Sequence, residues 1–320
     1  MDNLLLNQAE AFVSNKEAIR RAIKFSNPLL QSVLALSYSN RGIEPSENVL
    51  SLAVKIIRNS VGILSSLRGY DMPVLATYMA LSPDSAAYMG RILSISKLLK
   101  DKFHLSSYIL TPSVLIAETC SPDQTVQWID KAYQIYQSIK KNHRFLTNSD
   151  DFGYCVLMAM NPDPEDTVQE VESIYSILRE NKFSPNAALS LAMVLSLYDE
   201  DAELKCQRVK SLYDDLRKSH MKYDSELGLP CLGVLAMCGL EYQQLMDDMY
   251  EMYNWLSDVK GFGTWGSISS PQQILLTGMI VLQARAAAAT ENNLLQGSSL
   301  ISIYTGLLSA SNIVITSSQS

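Results

Sequence analysis

The stretch Ser82-Pro83-Asp84 recurs as Ser121-Pro122-Asp123 and as Asn161-Pro162-Asp163, at spacings of 39 and 40 residues. Serine or asparagine at a helix N-cap accepts a hydrogen bond from a free backbone N–H, and proline fits the first helical position because its missing N–H needs no partner there. Aspartate in the first turn is favoured by the helix dipole. Each copy therefore predicts a helix start, with Ser or Asn as the N-cap. Weaker versions follow at residues 199–201 and 239–241.

The segments on the two sides of these turns differ in how their apolar residues are distributed. After the third turn, Val168, Val171, Ile174 and Leu178 recur at spacings of three and four, which places them on one face of a helix. The segments before the turns are apolar nearly all round, as in helices that neighbours cover on every side. The one-faced segments are 88–103, 128–145, 168–183, 209–223 and 246–262, and the uniformly apolar ones are 74–81, 109–117, 154–160, 187–197 and 227–237.

This alternation predicts an all-α protein made of helical hairpins with a period of about 40 residues. No stretch alternates apolar and polar residues between turn signals, so no sheet is expected. An α-solenoid, an α–α superhelix closed into a toroid and an irregular bundle all fit the pattern. A single domain is expected over residues 1–315, with a capping helix in 1–26, hairpins in 27–262, C-terminal helices in 271–313 and a disordered tail at 316–320.

The composition excludes several classes of protein and partner. With 47% hydrophobic and 18% charged residues among 320, the chain is too apolar to be disordered. Its net charge of −7 argues against a nucleic-acid partner. No apolar run reaches the roughly 18 residues of a membrane helix, so no membrane insertion is expected. The N-terminal segment lacks the basic region of a signal peptide and the five cysteines form no C-x-x-C pair, which predicts buried, reduced thiols in a cytoplasmic protein.

The repeated turns carry a resemblance to a known family. The segments Leu81-Ser82-Pro83-Asp84 and Met160-Asn161-Pro162-Asp163, together with the helix at 171–178, resemble an uncharacterised bacterial family of similar length, domain of unknown function four thousand and three. The resemblance implies a bacterial, cytosolic, all-helical protein. It implies no activity and no catalytic residues.

One acidic motif has a possible catalytic counterpart. Asp247, Asp248 and Glu251 match the pattern D-D-x-x-E, and in all-helical prenyl-diphosphate enzymes such carboxylates hold magnesium on a diphosphate. A site of this kind needs a second acidic motif facing the first, and no predicted helix carries one. A solvated helix face is the favoured interpretation, and an all-α enzyme with a central pocket at these three residues is the alternative. The three histidines form no H-x-x-x-H pair, and no cofactor is predicted.

A glycine-rich segment at 261–266 spells G-x-G-x-x-G. The dinucleotide fingerprint works between a strand and a helix, whereas here a helix precedes it, so Gly261 is interpreted as a helix C-cap. Phe262 and Trp265 are candidate binding residues, because aromatic side chains on loops often anchor contacts.

Four tyrosines recur at one position of the one-faced helices: Tyr136, Tyr175, Tyr213 and Tyr253. They either pack between helices or line a binding face. The function that the pattern favours is a protein- or peptide-binding scaffold or regulator with an unknown protein or peptide partner, since helical stacks expose long surfaces.

Charge follows the same hairpin pattern. Acidic residues gather at the turns that enter the one-faced helices, and basic residues gather where those helices end. Helix-dipole complementarity explains this order, and a basic edge that recruits an acidic partner is the functional alternative. The basic set includes Lys97, Lys100, Lys102, Lys140, Lys141, Arg179, Arg217 and Lys218.

Overall fold

The helices lie where the apolar patterns predict them. The structure, a computed structural model, describes residues 1–24, 27–62, 65–103, 108–221, 228–263, 266–289 and 291–319, with side chains to residue 311. The α-helices are α1 Asn3–Ala22, α2 Pro28–Ser39, α3 Glu47–Ser60, α4 Met72–Leu81, α5 Ser85–Phe103, α6 Leu110–Thr119, α7 Thr125–Asn142, α8 Phe152–Met158, α9 Pro164–Glu180, α10 Pro185–Leu195, α11 Ala202–Lys218, α12 Leu229–Ala236, α13 Tyr242–Ser257, α14 Ser270–Ala288 and α15 Asn293–Gln319. Short 3₁₀ turns occur at Ser66–Arg68, Pro122–Gln124 and Ser149–Asp151.

The all-α class is confirmed. Helices make up 77% of the structure. The described residues contain no strand, and their one isolated bridge joins Lys260 and Phe262. At the C-terminus, α15 continues across residues 316–319, where the sequence predicts a disordered tail.

Acidic side chains cap several of the helices that follow the repeated turns. Asp84 Oδ1 accepts hydrogen bonds from the N–H groups of Ala86 at 3.0 Å and Ala87 at 2.9 Å, so α5 begins two residues later than predicted. Asp201 caps α11 and Glu241 caps α13 in the same way. A carboxylate caps well because its full charge complements the positive end of the helix dipole.

The predicted N-cap residues Ser82 and Asn161 are therefore wrong. The turn is so short that Ser82 still ends the preceding helix, with its N–H donating to Tyr78 O at 3.1 Å. In the second copy, Pro122 does begin a helical turn, the 3₁₀ turn that leads into α7. There the Ser121 hydroxyl donates to the Gln124 side chain at 2.9 Å instead of accepting from a backbone N–H.

The two kinds of predicted helix are buried to different extents. In α4, nine of ten residues are buried, whereas α5 buries Met89, Ile92, Ile95 and Leu99 at spacings of three and four. The uniformly apolar helices thus form the core, and the one-faced helices cover it.

The chain divides into two compact units. Unit 1 comprises Met1–Val13 and Glu165–Ser309, and unit 2 comprises Ser14–Pro164 and Ala310–Ser320. Within unit 1, α12 packs against both α10 and α14, and within unit 2, α6 packs against both α4 and α8. The buried helices of each unit are therefore neighbours although a one-faced helix separates them in sequence. The single domain over 1–315 and the repeat stack stay predictions.

Close contact between two core helices of unit 1 depends on glycine. A Cβ at Gly278 in α14 would lie 2.5 Å from Leu235 Cδ1 in α12, and both residues are buried. Gly90 in α5 is a contrasting case, since it is exposed and no atom lies within 4 Å of the position of a Cβ.

We expect Gly278→Ala and Gly90→Ala to change stability in opposite directions. The first overpacks the α12–α14 contact and should lower the free energy of unfolding by about 1–3 kcal/mol. The second should raise it by about 0.5–1 kcal/mol, because alanine favours a helix more than glycine does. Thermal unfolding followed by circular dichroism measures both variants. Equal stabilities of the two variants would contradict the close packing at Gly278.

Candidate functional site

Asp248 lies in a buried ion pair and not on a solvated face, which corrects the sequence-based interpretation. Its carboxylate accepts hydrogen bonds from Arg285 Nε at 2.6 Å and Nη2 at 2.5 Å, and the two side chains are 7% and 11% exposed. Arg285 Nη1 also donates to Asp2 at 2.7 Å. These hydrogen bonds, with Asp248 contributing most, raise the pKa of the Arg285 guanidinium. Asp248 therefore joins α13 to α14 inside unit 1.

The other two carboxylates of the motif point to different partners. Asp247 is exposed and accepts a hydrogen bond from Gln243 at 2.9 Å. Glu251 is paired with the amino group of Met1 at 2.8 Å. Across the described part of the chain, no group of three or more His, Cys, Asp or Glu side chains is arranged to hold a metal ion. The three carboxylates thus have separate structural partners.

Arg285→Met should be strongly destabilising, because it leaves the Asp248 carboxylate buried without a partner. We expect a loss of about 3–5 kcal/mol in the free energy of unfolding. Adding Asp248→Leu should restore much of that loss, since no buried charge then remains. Asp247→Asn is the control and should change stability by less than about 0.5 kcal/mol. Urea denaturation measures all three, and a small effect of Arg285→Met alone would contradict the buried pair.

The glycine-rich loop of unit 1 packs against the protein. Phe262 is 6% exposed, and its ring meets the edge of Phe12 with centroids 6.2 Å apart. Helix α13 ends at Ser257 with Asp258 as its C-cap, so Gly261 is not the C-cap that the sequence predicts. The loop needs its glycines all the same, since Gly261 and Gly263 have φ of +96° and +75°. Trp265 lies outside the described residues.

The repeated tyrosines share a helix position but not an environment. Tyr136 is buried in unit 2 beside Phe103 and Phe152, with ring centroids 5.7 and 6.1 Å away. Tyr213 is half-buried in unit 1, with its centroid 5.4 Å from that of Phe183. Tyr175 and Tyr253 are also half-buried in unit 1. Tyr136 and Tyr213 thus pack against neighbouring aromatic rings, and a binding role for the four tyrosines stays a prediction.

Two neighbouring cavities in unit 2 form what we call the Tyr108 cleft, because Tyr108 lines both. The first cavity has a volume of about 270 Å³ and lies between the segment that precedes α4, one face of α5 and the start of α6. The second has a volume of about 400 Å³ and lies beside the end of α7 and the 3₁₀ turn Ser149–Asp151. The polar residues of the first are Ser65, Ser66, Tyr70, Asp71, Ser96, Lys97, Lys100 and Asp101, and the second is lined by Tyr136, Lys140, Thr147, Asn148, Ser149 and Asp150.

Two carboxyl groups have raised pKa values, namely Asp71, which lines the first cavity, and Asp151, which follows the lining residue Asp150 of the second. Burial raises the pKa of Asp71 to about 6, against the opposing effects of a hydrogen bond from Ser66 and the charge of Lys100. Burial and the charge of Asp150 raise the pKa of Asp151 to about 7, although its carboxylate accepts a hydrogen bond from the Asn148 N–H at 2.8 Å. Carboxyl groups perturbed in this way are concentrated at functional sites.

Two further features set the cleft apart from ordinary surface. Tyr108 has a φ of +61°, a conformation that is rare for a residue with a bulky side chain and that costs free energy. Thr147 is 3% exposed, and its hydroxyl has no hydrogen-bond partner. Backbone strain and unsatisfied buried polar groups both occur where a protein is organised around a ligand.

Comparison with known proteins gives a family. Residues 15–319 match the family described as "Protein of unknown function (DUF4003)". The chain belongs to the DUF4003 family. This confirms the resemblance seen in the repeated turns. Neither the search of curated proteins nor that of solved structures finds a match. In the described part of this DUF4003 protein, no helix is both long and apolar enough to cross a membrane.

Sequence reasoning missed most of the Tyr108 cleft of this DUF4003 protein. Of the predicted binding residues, Tyr136 lines the second cavity, and Lys97, Lys100 and Lys140 belong to the predicted basic set. Asp151 forms a capping box with Asn148. Nothing in the spacing of the sequence links the segments around residues 71, 108 and 150, which only helix packing brings together.

Because the pKa values of Asp71 and Asp151 are raised, the contribution of these two groups to the free energy of unfolding falls with increasing pH. A carboxyl group whose pKa is higher in the folded than in the unfolded state binds its proton more tightly when folded, so its stabilisation is lost as pH rises from about 4 to about 7. Asp71→Asn and Asp151→Asn each remove such a carboxyl group. The change that each substitution causes in the free energy of unfolding should be more favourable at pH 8 than at pH 4 by about 1–3 kcal/mol.

Glu241, whose pKa is lowered and not raised, provides the control. Hydrogen bonds from the N–H groups of Gln244 and Gln243 lower the pKa of Glu241. Glu241→Gln should therefore be less favourable at pH 8 than at pH 4, the reverse of the two aspartate variants. Urea denaturation across this pH range measures all three. If the aspartate variants follow the pH dependence of the wild type, the cleft does not hold these carboxyl groups in the environment described.

Proposed function

We propose that this DUF4003 protein is a cytoplasmic binding protein that holds an extended peptide segment of a partner protein in the Tyr108 cleft. The observation that carries this proposal is the pair of cavities that share Tyr108 as a lining residue. Two concavities with a common wall suit an extended chain that contacts both, whereas a small metabolite fills one pocket.

The lining of the cleft supports a peptide as the ligand. The residues that line the second cavity include Tyr108, Asn148, Ser149 and Lys140, whose side chains carry hydroxyl, amide and ammonium groups, and a peptide backbone offers both donors and acceptors to such groups. The unpartnered hydroxyl of Thr147 lies in the same wall. Tyrosine is also enriched in protein interfaces, because its ring gives contact area and its hydroxyl a hydrogen bond.

Four of the other predicted binding residues lie outside the Tyr108 cleft, and their positions are compatible with a separate contact with a partner protein. Phe262, Tyr175, Tyr213 and Tyr253 lie in unit 1, and they do not line the two cavities. Trp265 lies outside the described residues. A helical protein that binds through unit 2 can act as a scaffold or as a regulator, and the proposal covers both.

Blocking the cleft should abolish peptide binding. Leu93 lies at the wall of the first cavity and is 38% exposed, so Leu93→Trp fills space in the cleft without disturbing the core. Leu52 on α3 is 55% exposed and outside the cavities, so Leu52→Trp in the same unit is the matched control. Peptides selected from a displayed random library are titrated against the full-length variants by isothermal titration calorimetry.

We expect Leu93→Trp to weaken binding by at least about tenfold and Leu52→Trp to leave it within about twofold of the wild type. Equal affinities of the two variants would place the peptide elsewhere and overturn the proposed site. Failure to select any peptide that binds the wild type would overturn the peptide-binding function.

A further inference from the structure

Two lysines of the first cavity have ammonium groups free for a ligand. Lys97 and Lys100 lie three residues apart on α5, a spacing that puts them on the same face of the helix. Both are exposed, and neither forms an ion pair or a hydrogen bond with another residue within the described ranges. The next lysine along the helix differs, because Lys102 is paired with Asp130 and lies over the ring of Tyr133.

Lys140, the lysine of the second cavity, contacts a neighbouring side chain, as Lys102 does. Lys140 lies 5.3 Å from the ring centroid of Tyr136, and its ammonium is 3.4 Å from the hydroxyl of that residue. Of the three cleft lysines, Lys97 and Lys100 are thus the two that form no hydrogen bond with a neighbouring side chain in the described ranges, although the charge of Lys100 acts on Asp71. An anionic group entering the first cavity would meet two ammonium donors, and hydrogen bonds of this charge-assisted type are the strong ones.

Asp71 lines the same cavity. It is the residue before α4, and its side chain forms no hydrogen bond to the N–H groups of that helix. The groups around it are Ser66 and Tyr70 before the helix, Lys97, Lys100 and Asp101 on α5, and Tyr108 near the start of α6. An ionised Asp71 would repel an entering anion, whereas a protonated Asp71 can donate a hydrogen bond to it.

We propose that the first cavity recognises a carboxylate side chain of the bound peptide, held by Lys97 and Lys100, and that Asp71 takes up a proton when this carboxylate binds. This inference rests on the proposed peptide-binding function and specifies the chemistry of the ligand. A second carboxylate close by makes ionisation of Asp71 less favourable. Because the pKa of Asp71 is already about 6, the proton needed is available near neutral pH.

A positively charged peptide side chain is the alternative to a carboxylate as the ligand of the first cavity. A peptide ammonium would be attracted by Asp71 and Asp101 and repelled by Lys97 and Lys100. The two free lysine ammonium groups, together with a carboxyl group that neutralises readily, favour the anion. The test therefore compares both charges directly.

The experiment uses three acetylated and amidated peptides that share the sequence selected for the cleft and carry Glu, Gln or Lys at one position. Isothermal titration calorimetry on the full chain, in two buffers that carry no phosphate and differ in ionisation enthalpy, PIPES and imidazole, at the same pH and ionic strength, gives the affinity and the number of protons taken up. We expect the Glu peptide to bind at least about tenfold more tightly than the Gln peptide at pH 6.5. We expect it to take up roughly half to one proton at pH 7.

Variants of the protein test separately whether Lys97 and Lys100 recognise the carboxylate and whether Asp71 takes up the proton. Lys97→Gln with Lys100→Gln should remove the preference for Glu over Gln, so the ratio of the two peptide affinities should fall to about one. Lys24→Gln with Lys55→Gln removes two exposed lysines of the same unit outside the cleft and should preserve the preference. Asp71→Asn should bind the Glu peptide without proton uptake, and with an affinity that varies less between pH 6 and 8.

The outcomes separate this inference from the proposed function. Equal binding of the Glu and Gln peptides, or tighter binding of the Lys peptide, overturns carboxylate recognition while peptide binding stands. Unchanged proton uptake in Asp71→Asn overturns the role of Asp71 alone. Binding of all three peptides to the Leu93→Trp variant as tightly as to the wild type overturns the Tyr108 cleft as the site, and this inference with it, while peptide binding by the protein stands.

Discussion

The complete enclosure of the uniformly apolar helices is the constraint on which the rest of this structure depends. Helices such as α4 and α8 bury nearly every side chain, so each needs neighbours on all sides. The amphipathic helices supply part of that cover, and the other buried helices of the same unit supply the remainder. Close contact between core helices then requires small residues, which is why Gly278 lies against Leu235.

This constraint pushes polar chemistry to the helix ends and to the connections between helices. A core helix has no free surface for a charged residue, and the covering helices use one face for packing. The Tyr108 cleft accordingly forms from the segment before α4, the start of α6 and the end of α7. The strained Tyr108 backbone and the raised pKa of Asp71 both occur in these connecting segments.

The contrast between Asp248 and Asp71 shows how environment decides the role of a carboxyl group. Asp71 directly precedes the apolar helix α4, whereas Asp248 lies within the amphipathic helix α13. Asp248 meets the fork of Arg285 and forms a bidentate pair that joins two helices. Asp71 meets a serine hydroxyl and a lysine across a cavity, so burial dominates and its pKa rises. The first is suited to holding the fold and the second to exchanging a proton with a ligand.

Much of the helix pattern could be predicted from spacing alone. Apolar periodicity located the helices, and the Pro-Asp turns located the connections, because these signals act over a few residues. The same signals failed at the caps, where Asp84 replaces Ser82 as the N-cap, since the choice depends on where the preceding helix ends. They also failed at Asp248, because solvent exposure of a helix face depends on which helix lies against it.

By itself, the sequence determined that this DUF4003 protein is all-helical, which segments are core helices and which family it belongs to, because those properties follow from local periodicity and from motifs. Tertiary structure alone decided that residues near 71, 97, 108 and 148 surround one cleft. It also decided that burial raises the pKa values of Asp71 and Asp151, and that Asp248 and Glu251 of the D-D-x-x-E motif form ion pairs within the fold. The physical reason is that burial and charge act through space, and residues distant in sequence acquire their neighbours only when the helices pack.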